Sequence, residues 1–220
     1  ERASSINLLK VSSSTDISHG DPYPYESRET THYSVVDING NSVSVTTTLN
    51  TGYGSGHVVE KAGFFLNNEM DDFSAKPGVP NVYGLVGNDA NAIQPGKRPL
   101  SSMTPTIVLK DGKPILIIGS PGGSTIITTV MQVILNVLVY DMSIQQAVTA
   151  SRFHSQWLPD AIMVEPFTIP TDVRKNLLRK GHSIKFYRWG YIGQANGITI
   201  TENGFYGGAD SRGENSAVGY

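Results

Sequence analysis

The sequence contains no cysteine. That excludes a disulfide scaffold and any thiolate chemistry, without fixing a compartment. Long apolar runs are missing too. The longest, residues 130–140, is broken by Gln132 and Asn136. It falls short of the roughly eighteen apolar residues a membrane span needs, so it reads as a core helix. Basic charge is not in excess: 17 Lys and Arg stand against 19 Asp and Glu, a formal net charge of -2. A nucleic-acid binder would show a basic face, so none is expected as a partner. The five histidines (His19, His32, His57, His154 and His182) are scattered, and no two have ligand spacing such as HExxH. All five read as structural, with no metal expected. No apolar run follows Glu1 and Arg2, so no signal peptide is expected, and the missing initiator Met suggests a piece of a longer chain.

What is present fits one soluble domain of 220 residues, 39% hydrophobic and 16% charged. Residues 1–29 are loop formers without periodicity, such as Ser12-Ser13-Ser14 and His19-Gly20-Asp21-Pro22. From His32 the pattern alternates, with β-branched and aromatic residues on both sides of Asn39-Gly40, a strong hairpin signal. A two-residue loop would set Thr31 opposite Thr48. A three-residue loop would set Thr30 opposite Asn50 and His32 opposite Thr48. The sequence leaves that register open, and a slip of one residue exchanges the faces. Residues 74–99 hold eight glycines and prolines, among them Pro77, Gly78, Pro95 and Gly96, with Tyr83 mid-loop. A loop of that length inside a compact domain is disordered or functional, often a lid. Strands are expected at 106–109 and 114–118, then helices over 125–140 and 144–150. A third helix should start near Thr171-Asp172 and stop at Gly181. Strands at 183–187, 197–201 and 205–206 follow. The mixed order gives an α/β, or α+β layered, fold.

Candidate chemistry is sparse. Gly119-Ser120-Pro121-Gly122-Gly123-Ser124 joins a strand to a helix but lacks the Lys-Ser/Thr of a phosphate loop. Alone it reads as a tight turn. Its other reading is a set of bare amides at a helix start, suited to a developing anion. Thr30-Thr31, residues 46–48 and Ser101-Ser102 supply hydroxyls, each singly more at home as a structural residue. No GxSxG motif accompanies them. A threonine can act without histidine if it begins a chain, because its own α-amino group, with a reference pKa of ~8, then serves as base. Periodicity and spacing reveal no such cut.

Five blocks in order carry a resemblance. They are Thr30-Thr31-His32-Tyr33-Ser34-Val35-Val36-Asp37, Thr48-Leu49-Asn50, Leu66-Asn67-Asn68-Glu69-Met70-Asp71-Asp72-Phe73, Lys97-Arg98-Pro99-Leu100-Ser101-Ser102-Met103 and Gly119-Ser120-Pro121-Gly122-Gly123. Together they resemble the catalytic small subunit of γ-glutamyltransferases over essentially all of residues 30–220. The resemblance implies an N-terminal-nucleophile hydrolase with a four-layer αββα sandwich, of which this chain holds only the C-terminal part. It implies that residues 1–29 are the tail of a large subunit, with self-cleavage between Glu29 and Thr30. Thr30 would attack the γ-glutamyl carbonyl, Thr48 would hydrogen-bond to it, and Gly122 and Gly123 would donate amides to the oxyanion. Asn50, Glu69 and Asp72 would hold the substrate's α-amino end, and Ser101 and Ser102 its α-carboxylate. Residues 77–96 would form a lid closed by Tyr83. No cofactor is implied. The implied partners are glutathione or another γ-glutamyl donor, water or an amino-acid or peptide acceptor, and the large subunit, which supplies an arginine for the α-carboxylate. A periplasmic or secreted location is implied by the family alone. The alternatives are a related poly-γ-glutamate hydrolase or cephalosporin acylase, which the lid disfavours, or an inactive, unprocessed fragment. A shared site requires Thr30, Thr48 and Asn50 on one side of the hairpin, which favours a three-residue loop or a bulge.

Overall fold

The computed structural model describes residues 30–81, 83, 85–156, 160–188 and 190–220. Glu29, and with it the expected tail of residues 1–29, lies outside the described residues.

Strand β1 (Thr30–Val36) turns back as β2 (Ser42–Thr48). They pair antiparallel, with Thr30 opposite Thr48 and Val36 opposite Ser42. This is neither register considered from the sequence: the loop has three residues, but it sits one residue earlier. Asp37 is the cause. Its carboxylate accepts the amides of Asn39 and Asn41 at 2.9 and 2.8 Å, and the Asn41 side chain at 2.7 Å. Its N–H also donates to the Asn41 carbonyl at 3.1 Å, so Asp37 and Asn41 close the loop of residues 38–40. Gly40 takes the left-handed position at φ +82°, as such loops require.

A small hairpin follows, β3 (Val58–Val59) with β4 (Phe64–Phe65). After the long loop come β5 (Thr106–Lys110) and β6 (Lys113–Gly119), then helices α1 (Ile126–Leu138) and α2 (Ile144–Thr149). Ser143 and Gln146 start α2 with a reciprocal capping box. Strands β7 (Phe153–His154) and β8 (Ile162–Val164), helix α3 (Thr171–Arg179) and strand β9 (Ile184–Phe186) form a unit in which α3 links the parallel pair β8 and β9. Gly181, at φ +91°, ends α3 as expected, with His182 N–H bonded to Leu177 C=O at 3.1 Å. Finally β10 (Asn196–Thr201) and β11 (Gly204–Ala209) complete an antiparallel sheet ordered β11-β10-β6-β5.

Strand β6 is the centre of this architecture. Leu116 and Ile118 pack into one core with Ile126, Val130 and Val133 of α1 and Ile144, Ala147 and Val148 of α2. Alternation sends Ile117 and Gly119 to the opposite face. There the β1–β2 hairpin lies against the sheet: Ser44 Oγ donates to Ile118 C=O at 3.2 Å. A Cβ at Gly119 would sit 2.2 Å from the His32 ring, so the missing side chain makes room for that ring. Helices on sheet on hairpin form an α/β stack one helical layer short of the αββα sandwich. The outward stripe of α1 (Ile127, Met131, Leu135 and Leu138) stays exposed.

A charged cluster is buried beside α2. Asp210 accepts Arg152 Nη2 at 2.7 Å and Arg212 Nη1 at 3.0 Å, and Glu165 accepts Arg212 Nη2 at 2.7 Å. Backbone groups complete it: Glu165 takes the amides of Arg152 and Ile192, Asp210 takes that of Ala195, and Arg152 donates to the carbonyls of Val148 and Ile192.

Candidate active site

The first residue of β1 and the last of β2 are cross-strand partners, so their side chains stand together on one face. Thr30 Oγ1 donates to Thr48 Oγ1 at 2.9 Å. Thr48 Oγ1 also accepts the Asn50 amide at 2.9 Å. To reach it the chain leaves the strand with Asn50 at φ +77°, a conformation Asn tolerates better than most residues. Thr30, Thr48 and Asn50 therefore do share one side of the hairpin, although the pairing that unites them is not the one the sequence suggested.

Asn50 ties the hairpin to the acidic segment. Its Nδ2 donates to Asn68 C=O at 3.2 Å, and Asn68 Oδ1 accepts Thr51 N–H at 3.2 Å. The next residues form a tight 3-10 turn, Glu69–Asp72. Ser102 Oγ donates to Asp72 Oδ2 at 3.0 Å. Burial, then the neighbouring Asp72 carboxylate, pushes the Glu69 carboxyl up to about 7. Burial raises Asp72 as well, against the lowering effect of the Ser102 and Glu69 hydrogen bonds. Among the described residues, buried Glu69 Oε1 has no hydrogen-bond partner.

The long loop is ordered at both ends. Ser74 bridges Ala92, Gly78 N–H bonds Gly87 C=O at 2.9 Å, and Asn91 Nδ2 bonds Asp72 C=O at 2.7 Å. At its tip Asn81 Oδ1 accepts the amides of Tyr83 and Leu85, both at 3.0 Å. That turn projects Tyr83, whose hydroxyl donates to Asn50 C=O at 2.6 Å. Its ring lies over Gly123, where a Cβ would meet Tyr83 Cε1 at 2.9 Å. Gly122 and Gly123 take positive φ, 141° and 55°, just before α1.

One cleft results. It is lined by Thr30, Thr48 and Asn50 from the hairpin, Asp72, Ser102 and Met103, Tyr83 and Leu85 from the loop, and Gly123, Ser124 and Ile126 at the start of α1. Three expected residues stand off its wall. Gly122 is buried behind Gly123. Glu69 flanks Asp72. Ser101 is exposed, its hydroxyl directed to Met103 C=O at 3.3 Å, so the two serines are not equivalent. Sequence reasoning missed Leu85, Met103, Ser124 and Ile126 as lining residues. Ser124 ends the strand-to-helix motif already singled out and was the most findable. His32 is not part of the cleft. It is buried between Thr46 Oγ1 (2.8 Å) and Ser34 Oγ (3.0 Å), and burial lowers its pKa to about 4, which keeps the ring neutral. Among the described residues no cluster of His, Asp or Glu could hold a metal ion.

Comparison with known proteins is consistent across sequence and structure. The family model described as gamma-glutamyltranspeptidase matches residues 1–220. A glutathione hydrolase proenzyme from Escherichia coli is 53% identical over 211 residues, 96% of this chain and 36% of that protein. One from Pseudomonas aeruginosa is 44% identical over 215 residues, 97% of this chain and 38% of its own length. The chain thus spans little more than a third of these curated relatives. Among solved structures, a T380A mutant of the Helicobacter pylori gamma-glutamyltranspeptidase superimposes with a TM-score of 0.79 at 57% identity, covering 83% of this chain and 100% of that one.

Proposed function

This chain belongs to the γ-glutamyltranspeptidase family, and from that premise we propose that its cleft transfers γ-glutamyl groups from glutathione or similar donors through Thr30. The observation that carries the reading is the 2.9 Å hydroxyl pair Thr30–Thr48 at one end of a cleft whose other wall is the Asp72–Ser102 pair. Cleavage after Glu29 frees the Thr30 α-amine. That amine takes the Oγ1 proton as the oxygen attacks the γ-carbonyl. Gly123 on the cleft wall, with Gly122 behind it, would offer backbone amides to the oxyanion. Such a donor is worth roughly 3–4 kcal/mol in other acyl-transfer enzymes. The leaving amine takes the proton, and a γ-glutamyl ester remains on Thr30. Water, or the amine of an amino acid or peptide, then attacks the ester and regenerates the hydroxyl.

The acidic corner suits the donor's α-ammonium. Asp72 and Asn50 offer oxygen acceptors there, and Glu69, which flanks Asp72, adds a second negative charge when ionised. Ser102, and an arginine from the remainder of the precursor, would take the α-carboxylate. That remainder would also cover the exposed stripe of α1. The loop of residues 77–96 over the cleft favours a γ-glutamyltransferase over a poly-γ-glutamate hydrolase or a cephalosporin acylase.

The test is turnover of a γ-glutamyl anilide by the full-length protein, followed across pH. Glu69 is protonated below its raised pKa of about 7 and ionised above it. A cation is held better by the ionised form. KM should therefore fall as pH rises toward that value, by up to about tenfold per pH unit on the acid side, and then level off. Glu69→Gln should flatten this component. No anilide turnover at any pH would end the proposal. A wild-type KM that does not change through neutrality would remove Glu69 from the ammonium site.

A further inference from the structure

Tyr83 is held from a side that the reaction does not use. Its carbonyl lies 3.5 Å from Gln156 Nε2. Gln156 is itself oriented by the buried His154 and its partner Thr128: its Oε1 is 2.9 Å from His154 Nε2, and His154 Nδ1 is 2.8 Å from Thr128 Oγ1. An amide oxygen only accepts, so His154 Nε2 carries the ring proton. Burial lowers the His154 pKa, which leaves Nδ1 as an acceptor for the Thr128 hydroxyl. The same hydroxyl lies farther, 3.1 Å, from Thr125 C=O. With Oε1 committed to His154, the Gln156 amide has only its N–H groups to present to Tyr83. Thr128 stands in the first turn of α1, directly after the Gly122–Gly123 loop.

We infer that Gln156, oriented by His154 and Thr128, is a positioning residue that latches Tyr83 over the Thr30 cleft. One short bond, to a His154 that Thr128 fixes in turn, anchors the amide, and the long bond to the loop is the one that gives. A lid must stay closed while the ester exists and open once per turnover, so its weakest link belongs at the loop. The phenol–Asn50 bond secures the front of Tyr83, and Gln156 secures its back. The inference rests on the acyl-transfer reading for its kinetic consequence, but not for its structural one.

Gln156→Glu tests it, because the carboxylate keeps an acceptor for His154 and loses the donor to Tyr83. In the full-length protein, KM for a γ-glutamyl anilide should rise about threefold to tenfold, the scale of one neutral hydrogen bond, with kcat within about twofold. Chymotryptic cleavage after Tyr83 should accelerate by a similar factor. The proteolysis readout needs no activity, so it still judges the latch if the enzyme proves inactive. Gln156→Leu provides a neutral second variant should the new carboxylate disturb folding, and it should shift both readouts the same way. Unchanged cleavage rate and unchanged KM in a folded variant overturn the proposal. So does a fall in kcat with KM unaltered, which would mean that Gln156 acts on the chemistry and not on the lid.

Discussion

Thr30→Ala, introduced into the full-length protein, is expected to give one uncut polypeptide and no measurable turnover. The wild type should give two pieces that separate before residue 30. Both expectations follow from a single oxygen. Thr30 Oγ1 is the side-chain atom of Thr30 that donates to Thr48 Oγ1, and alanine removes it while leaving the backbone pairing of β1 and β2 intact. If that oxygen both cuts the chain and attacks the substrate, its loss abolishes the two events together. Removing a nucleophile costs about ten-thousandfold or more in rate in well-studied hydrolases. Intact mass under denaturing conditions reads the cut, and anilide release reads the turnover. Thr30→Ser retains a hydroxyl and should keep a reduced share of both. An alanine variant that still splits before residue 30 would take the nucleophile's role away from Thr30.

Asp210→Ala should lower the thermal midpoint by roughly 10 °C. Asp210 is 1% exposed and bridges two guanidinium groups, those of Arg152 and Arg212. Its removal leaves two buried cations facing one carboxylate, Glu165. Breaking a buried pair in this way destabilises by about 3–5 kcal/mol, and each kcal/mol moves the midpoint by roughly 2–4 °C in a domain of this size. The pair Arg152→Met with Asp210→Leu should recover part of the loss, since it removes a cation along with the anion. Recovery would be incomplete, because the Ile192 carbonyl loses the Arg152 donor and the Val148 carbonyl keeps only that of Arg212. A midpoint within two or so degrees of wild type for Asp210→Ala, read by thermal unfolding against roughly 10 °C expected, would mean that solvent reaches the cluster.

The parts of this fold that were readable in the sequence are those with local causes. The spacing of Ile126, Val130 and Val133 marks α1, and Gly181 marks the end of α3 for want of a Cβ. Strands β7 and β8 were not readable, because two- and three-residue strands carry no periodicity and exist only through their partners. The hairpin register escaped for a similar reason. Asn39-Gly40 signals a turn, but the Asp37 carboxylate decides where the loop closes, and a side-chain bond of that kind leaves no pattern to count. At the site, the five-block resemblance supplied Thr30, Thr48, Asn50, Asp72, Ser102, Tyr83 and Gly123, all of which line the cleft. It did not distinguish Ser101 from Ser102, because neighbouring serines look equivalent until the backbone turns one of them away. Nor did it point to Gln156, whose contact with Tyr83 spans 73 positions of the chain.

The notch at Gly119 sets the mechanical tolerance of the nucleophile. The His32 ring occupies the space a side chain would fill there, as a key occupies a slot. Two positions back on the same face of β6 stands Ile117, fully buried and with its whole side chain in place. A strand rises about 3.3 Å per residue, and a shift toward Ile117 would drive the ring out of the slot and into side-chain volume. The hairpin is thus indexed against the sheet by shape, independently of how tightly the layers adhere. Thr30 lies two residues from that key on the same strand and inherits its alignment. The distance from its hydroxyl to the amides before α1 is therefore machined into the fold by the absence of a single carbon.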